Sequence, residues 1–134
     1  MIVADTNLIC YLLLTGERTS EALKALEKDP DWVTPILWRS GFCNVLGGCV
    51  RNKLLTGQAA QAILEHALLL LRGKEYCLSP KRNLELTFDN TCSAYDCEFV
   101  ALAQDLGVKL VTVDKQILAH FPGTALALDK FVGR

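Results

Sequence analysis

Val108-Lys109-Leu110-Val111-Thr112-Val113-Asp114-Lys115 is the stretch that decides the fold. Its first six residues are mostly β-branched and aliphatic, which suits a buried strand, and an acid follows at once. Just before it, Ser93 opens a helical pattern with Tyr95, Phe99, Val100, Leu102, Ala103 and Leu106 on the apolar side, and Gly107 closes that helix. The chain begins in the same manner. Ile2-Val3-Ala4 is a short apolar strand, Asp5-Thr6-Asn7 a helix start, and the helix runs to Leu14 before Gly16 stops it.

Working outward, residues 20–28 read as a helix with apolar Ala22, Leu23 and Leu26, and Trp32-Val33-Thr34 as a strand. Pro35 fits a first helical position with Thr34 as its cap, and the helix continues through Trp38, Phe42, Val45, Leu46, Cys49 and Val50. Thr56 starts an Ala- and Leu-rich helix that ends near Arg72-Gly73. Residues 75–78 are a candidate strand, and Pro80 opens a stretch to Asn90 with no clear pattern. After Asp114-Lys115 come a short helix to His120, a Pro122-Gly123 turn and a last strand at 125–128. Strands alternating with helices predict an α/β domain with a mainly parallel sheet and helices on both faces.

At 134 residues the chain is the size of one domain, 1–134, able to bury its core without a disulfide or structural metal. With 14 Lys and Arg against 15 Asp and Glu, the net charge is -1, which excludes a broad basic wrapper of nucleic acid. Six cysteines contain no C-x-x-C pair, and only His66 and His120 could join them, so a zinc site is not expected. No signal-peptide pattern opens the chain, and the longest apolar run, residues 67–71, is too short to cross a bilayer. The expectation is a cytoplasmic protein with reduced thiols and no membrane contact. Four leucines at 68–71 cover most of a helix circumference; they suit either burial on two sides or a surface for a second copy or partner helix.

In open α/β sheets, ligands bind beyond the carboxyl ends of the strands. Asp5 and Asp114 both stand there, although an Asp after a strand also suits a helix cap. Asp96 falls on the same helical side as Val100 and Ala103, where a carboxylate is costly unless it is paired or binds a cation. Its alternative is a capping box with Ser93. Glu98 and Asp105 fall on the opposite, solvent face. Three carboxylates at one sheet mouth repel each other, and their simplest common purpose is to hold a hard divalent cation such as Mg²⁺ or Mn²⁺. The reaction class that follows is phosphodiester hydrolysis.

At these residues the chain resembles the PIN domain, and within it the VapC-type ribonuclease toxins of bacterial toxin–antitoxin pairs. Val3-Ala4-Asp5-Thr6-Asn7 is similar to the first acidic motif of that family. Residues 93–103, S-A-Y-D-C-E-F-V-A-L-A, resemble its third and are the most specific stretch; Leu110-Val111-Thr112-Val113-Asp114-Lys115 resembles its last. The resemblance implies a three-layer α/β/α sandwich and an Mg²⁺- or Mn²⁺-dependent endoribonuclease. By it, Asp5, Asp96 and Asp114 are catalytic metal ligands, and Thr6, Asn7 and Thr112 are neighbours that orient ligands or water, or else simply cap. It also implies an RNA substrate, a VapB-like antitoxin lying across the active-site groove, and a homodimer. Arg39 and Lys115 are candidate RNA contacts, although a solubilising role is the better reading for Lys81, Arg82 and Lys115.

One position departs from the family. Asn44-Val45-Leu46 aligns the family's early-helix Glu with Gly41. A glycine inside a helix costs about 1 kcal/mol relative to alanine, so local propensity does not explain it. Gly41 is either native or introduced, and in both cases it predicts weakened catalysis or a silent RNA- or protein-binding module of the same fold. A receiver-like signalling domain fits poorly, because Asp5 is single. No G-x-G-x-x-G or phosphate-binding loop is present.

Overall fold

The computed structural model describes residues 1–133; Arg134, the last residue of the expected domain, lies outside them. Five strands form one sheet: β1 (Ile2–Ala4), β2 (Trp32–Pro35), β3 (Glu75–Tyr76), β4 (Leu110–Thr112) and β5 (Ala125–Ala127). Their order is β3-β2-β1-β4-β5, and every neighbouring pair is parallel. Parallel strands need crossovers, and eight helices among the described residues supply them or cover the sheet: α1 (Thr6–Leu13), α2 (Thr19–Lys28), α3 (Trp38–Arg51), α4 (Gly57–Leu70), α5 (Pro80–Leu86), α6 (Ala94–Leu106), α7 (Lys115–His120) and α8 (Leu128–Phe131). Both α1 and α6 pack on the central strands; α2, α3 and α4 gather around α1, and α5 covers α6. The arrangement is the expected α/β/α sandwich.

Core residues come from the strands and from the inward sides of α1, α3 and α6. Val3, Val33, Leu110, Val111, Ile9, Trp38, Phe42, Val100 and Ala103 have essentially no exposure. Helix ends follow local chemistry. Thr56 accepts from the Ala59 N–H, Ser93 from the Asp96 N–H, and Gly107 ends α6 at φ 67°, a left-handed conformation that glycine adopts without strain.

Several expectations are corrected. Pro35 is the last residue of β2 rather than the first of a helix. The flanking nitrogens of Thr34 and Ile36 donate to Lys74 and Tyr76, so the missing proline N–H falls on the β1 side. There, β1 has already passed its last register pair with β2, Val3 with Val33, and no ladder bond is lost. Leu37 therefore precedes α3 without a side-chain cap. Residues 80–86, unpatterned in sequence, form α5 with Pro80 in its first turn, and the four-residue α8 was not expected. Of the leucine run, Leu71 is buried, Leu68 and Leu70 are half-buried, and Leu69 points to solvent, so the helix buries one side rather than two. All six cysteines are free. Cys10, Cys92 and Cys97 are buried, Cys49 is half-buried, and Cys43 is exposed despite its apolar neighbours in sequence. Among the described residues no helix is long and apolar enough to cross a membrane.

Candidate functional site

The strand order reverses at β1: β2 lies on one side of it and β4 on the other. Crossovers leave a crevice at the carboxyl ends of such a strand pair. A cleft of about 420 Å³ opens there, lined by Asp5, Thr6 and Asn7 of the β1–α1 junction, Ser40, Gly41, Asn44 and Val45 of α3, Tyr95, Asp96 and Phe99 of α6, and Asp114 and Ile117 at α7. The three acids singled out in sequence thus meet from three separate elements.

Asp5 is the innermost. It is 7% exposed, with one carboxylate oxygen accepting from the Leu8 N–H at 2.9 Å and the other from the Thr112 hydroxyl at 2.5 Å. Thr112 in turn accepts from the Asp114 N–H at 3.1 Å, so one hydroxyl links the two strand-end acids. Burial pushes the Asp5 carboxyl up from 3.8 to about 6. The bonds from Thr112 and Leu8 oppose that rise, and the charges of Asp114 and Asp96 add to it. The Asp96 carboxyl is also raised, by burial and by Asp114, against a lowering contact with Ser93. Two acids that disfavour each other's charge in one cleft form a site for something positive.

Capping and cleft formation turn out to be compatible. Asp5 caps α1 through Leu8, and one Asp114 oxygen caps α7 by accepting from Gln116 at 2.9 Å and Ile117 at 3.0 Å. A carboxylate has two oxygens and about four lone-pair positions, so each cap leaves acceptor capacity toward the cleft. Asp96 is half-buried at the start of α6, and its own N–H donates to Ser93. The donor set is all carboxylate oxygen, which suits a hard cation completed by water and phosphate. Among the described residues, no three His, Cys, Asp or Glu side chains stand close enough together to enclose an ion by themselves. The fit is therefore to an ion held by one or two carboxylates, not to an all-protein cage.

Other predicted residues fall differently. Thr6 is buried, and its hydroxyl is 2.8 Å from that of Tyr95; Asn7 is exposed on the cleft wall; Thr112 sits behind Asp5. The two expected RNA contacts are not cleft-lining. Arg39 is bound to Glu75 by two hydrogen bonds, 2.7 and 2.6 Å, and the Trp38 indole donates to the same carboxylate at 2.7 Å. That pairing draws its guanidinium toward β3 and holds the Glu75 carboxyl below its usual range, chiefly through the Arg39 hydrogen bond. Lys115 borders a separate groove with Val113, Leu118 and Asp129. Glu98 is half-buried rather than solvent-facing, because it accepts from the buried Asn83 amide at 2.7 Å.

Tyr95 is the cleft residue that sequence reading missed. A Cβ built on Gly41 would overlap its hydroxyl, and would lie 3.0 Å from Thr6 Oγ1 and 3.1 Å from Tyr95 Cζ. This explains the glycine that helix propensity did not: the missing side chain is the space in which the tyrosine hydroxyl sits. The signal in sequence was the helix-interior glycine itself, which called for a neighbour filling its place.

Comparison with known proteins agrees with this architecture. The family model described as PIN domain matches residues 2–122. Ribonuclease VapC3 of Pyrobaculum aerophilum is 29% identical over 124 residues, covering 90% of this chain and 95% of that one. Among solved structures, a toxin–antitoxin complex from Klebsiella pneumoniae contains a chain of the same fold, with TM-score 0.64 and 21% identity, covering 96% of this chain and 98% of that chain.

Proposed function

This chain belongs to the PIN-domain family, and from that premise we propose that it is a divalent-metal-dependent endoribonuclease of the VapC type. The observation that carries the reading is the meeting of Asp5, Asp96 and Asp114 in one cleft at the β1–β4 crevice. One or two of Asp5, Asp96 and Asp114 would hold Mg²⁺ or Mn²⁺ directly, with water completing its shell, and the ion would supply positive charge and Lewis acidity toward a phosphate oxygen. The protein's own part is to hold these carboxylates in place, close enough that their mutual repulsion favours a cation between them. Thr112 donates to Asp5 and accepts from the Asp114 N–H, and the α1 and α7 caps fix both carboxylates at their strand ends. Thr6 and Asn7 line the same cleft, together with the apolar Val45, Phe99 and Ile117.

Gly41 leaves the cleft one carboxylate short of the family pattern, which predicts slower cleavage and a single cation. Cleavage of single-stranded RNA by the purified protein in Mn²⁺, lost in EDTA and in Asp96→Asn, is the expected result. No cleavage beyond that of Asp96→Asn, at any divalent cation tried, rejects the enzyme and leaves the silent binding module. Gly41→Glu alone is a poor test of the impairment, because the new side chain collides with Tyr95. Gly41→Glu combined with Tyr95→Ala clears that space and should cut faster than Tyr95→Ala alone; an unchanged rate sinks the impairment. An antitoxin partner and a homodimer belong to the same proposal. They are supported by the apolar groove of Leu46, Val50, Ala60 and Leu64 between α3 and α4, and by exposed Leu54, Leu69, Leu84 and Phe88.

A further inference from the structure

Resting on that ribonuclease reading, we infer that Gly41 and Tyr95 act as one unit, in which the glycine admits the tyrosine hydroxyl and that hydroxyl binds a phosphate oxygen of the RNA. Three observations carry it. First, the hydroxyl fills the place where any side chain at position 41 would begin, so the two residues are matched. Second, the ring is held: it packs tilted against Phe99, one turn along α6, at 5.5 Å and 49°, and its oxygen meets Thr6 Oγ1 at 2.8 Å. Tyr95 thereby ties α6 to α1 and α3 across the cleft, and the residue as a whole stays 37% exposed. Third, the two hydroxyls carry two protons and their shared bond uses one. No other acceptor among the described residues takes the second; either oxygen can donate in the shared bond, and when Thr6 donates the free proton is the tyrosine's, in the cleft that both residues line.

A neutral donor suits that place. A phosphodiester approaching Asp5, Asp96 and Asp114 is repelled by each ionised carboxylate. A hydroxyl attracts it without adding a fourth negative charge, and a hydrogen bond to a charged oxygen is stronger than one between neutral groups. Exchanging a carboxylate at position 41 for a tyrosine hydroxyl from α6 therefore shifts the site from binding cations toward binding the phosphate directly.

The test is a cycle of Gly41→Ala, Tyr95→Phe and the double variant, read by anisotropy of a labelled single-stranded RNA in Ca²⁺, with calorimetric Mn²⁺ titration beside it. Tyr95→Phe keeps the ring and its packing, so folding is not at stake. It should weaken RNA binding about three- to tenfold and leave Mn²⁺ affinity unchanged. Gly41→Ala should lose a similar factor, and the double variant no more than either single one, because all three remove one contact. Losses that multiply, or Tyr95→Phe binding RNA as well as the parent, overturn the unit. RNA bound with this pattern but never cut supports the unit while rejecting the nuclease. A parent protein that neither binds nor cuts RNA rejects both.

Discussion

Replacing Asp5 with Asn should make the metal-free protein more stable at alkaline pH and leave it nearly unchanged in acid. Asp5 is buried, and its carboxyl rises from 3.8 to about 6, first through burial and further through Asp114 and Asp96. At about 1.36 kcal/mol per pKa unit, this corresponds to ~3 kcal/mol between the protonated and ionised forms. The folded value lies above the unfolded one, so folding favours the protonated acid. Stability is greatest below about pH 4, falls as pH rises through about 6, and stays at the lower level above it. Asn removes the charge and keeps an oxygen for the Leu8 N–H. Its amide must donate where Thr112 donated, so Thr112 has to turn, and part of the gain is lost. A net stabilisation of about 1–3 kcal/mol at pH 8, shrinking toward zero near pH 4, is expected. Urea denaturation in EDTA at both pH values measures it. A variant less stable than the parent at pH 8, or a difference that does not change with pH, refutes the argument that burial and mutual repulsion strain this carboxylate. Adding Mn²⁺ should then stabilise the parent far more than the variant.

Asp114 separates capping from ligation. Asp114→Asn keeps an oxygen for Gln116 and Ile117 and should abolish Mn²⁺ binding with little loss of stability; Asp114→Ala should lose the cap as well, about 1 kcal/mol by thermal or urea unfolding. Thr112→Val removes the donor to Asp5 and should cost about 1.5–3 kcal/mol at pH 8, and less near pH 4 where Asp5 is protonated. Phe42→Ala, in the fully buried side of α3, should cost about 3–5 kcal/mol in the same assay. Arg39→Ala should leave RNA affinity unchanged, because its guanidinium is engaged with Glu75; a clear loss of RNA binding would restore Arg39 to the nucleic-acid path.

The alternation of strands and helices, and the acids at strand ends, were legible because both are local properties. A strand such as Leu110-Val111-Thr112 declares itself by its side chains, and Asp114 must follow it along the chain whatever the tertiary fold. Helix starts at Asp5, Thr56 and Ser93 were equally local, since each is a side chain reaching three residues ahead. Pro35 was misplaced because the penalty for a missing N–H depends on which neighbouring strand faces it, and β1 ends too early to matter. The pairing of Arg39 and the half-burial of Glu98 were not legible for a similar reason: Glu75 and Asn83, their partners, lie 36 and 15 residues away.

By itself, then, the sequence determined an α/β domain, the motif order of the PIN family, three acids of the cleft, and the oddity of a glycine within a helix. Only the tertiary structure decided that Asp5, Asp96 and Asp114 share one crevice, that Thr112 bridges two of their junctions, and that the Tyr95 hydroxyl occupies the space Gly41 leaves. The physical reason is range. Hydrophobic periodicity and capping act over a few residues, whereas charge repulsion, burial and steric exclusion act through space, between atoms that only the folded chain brings together.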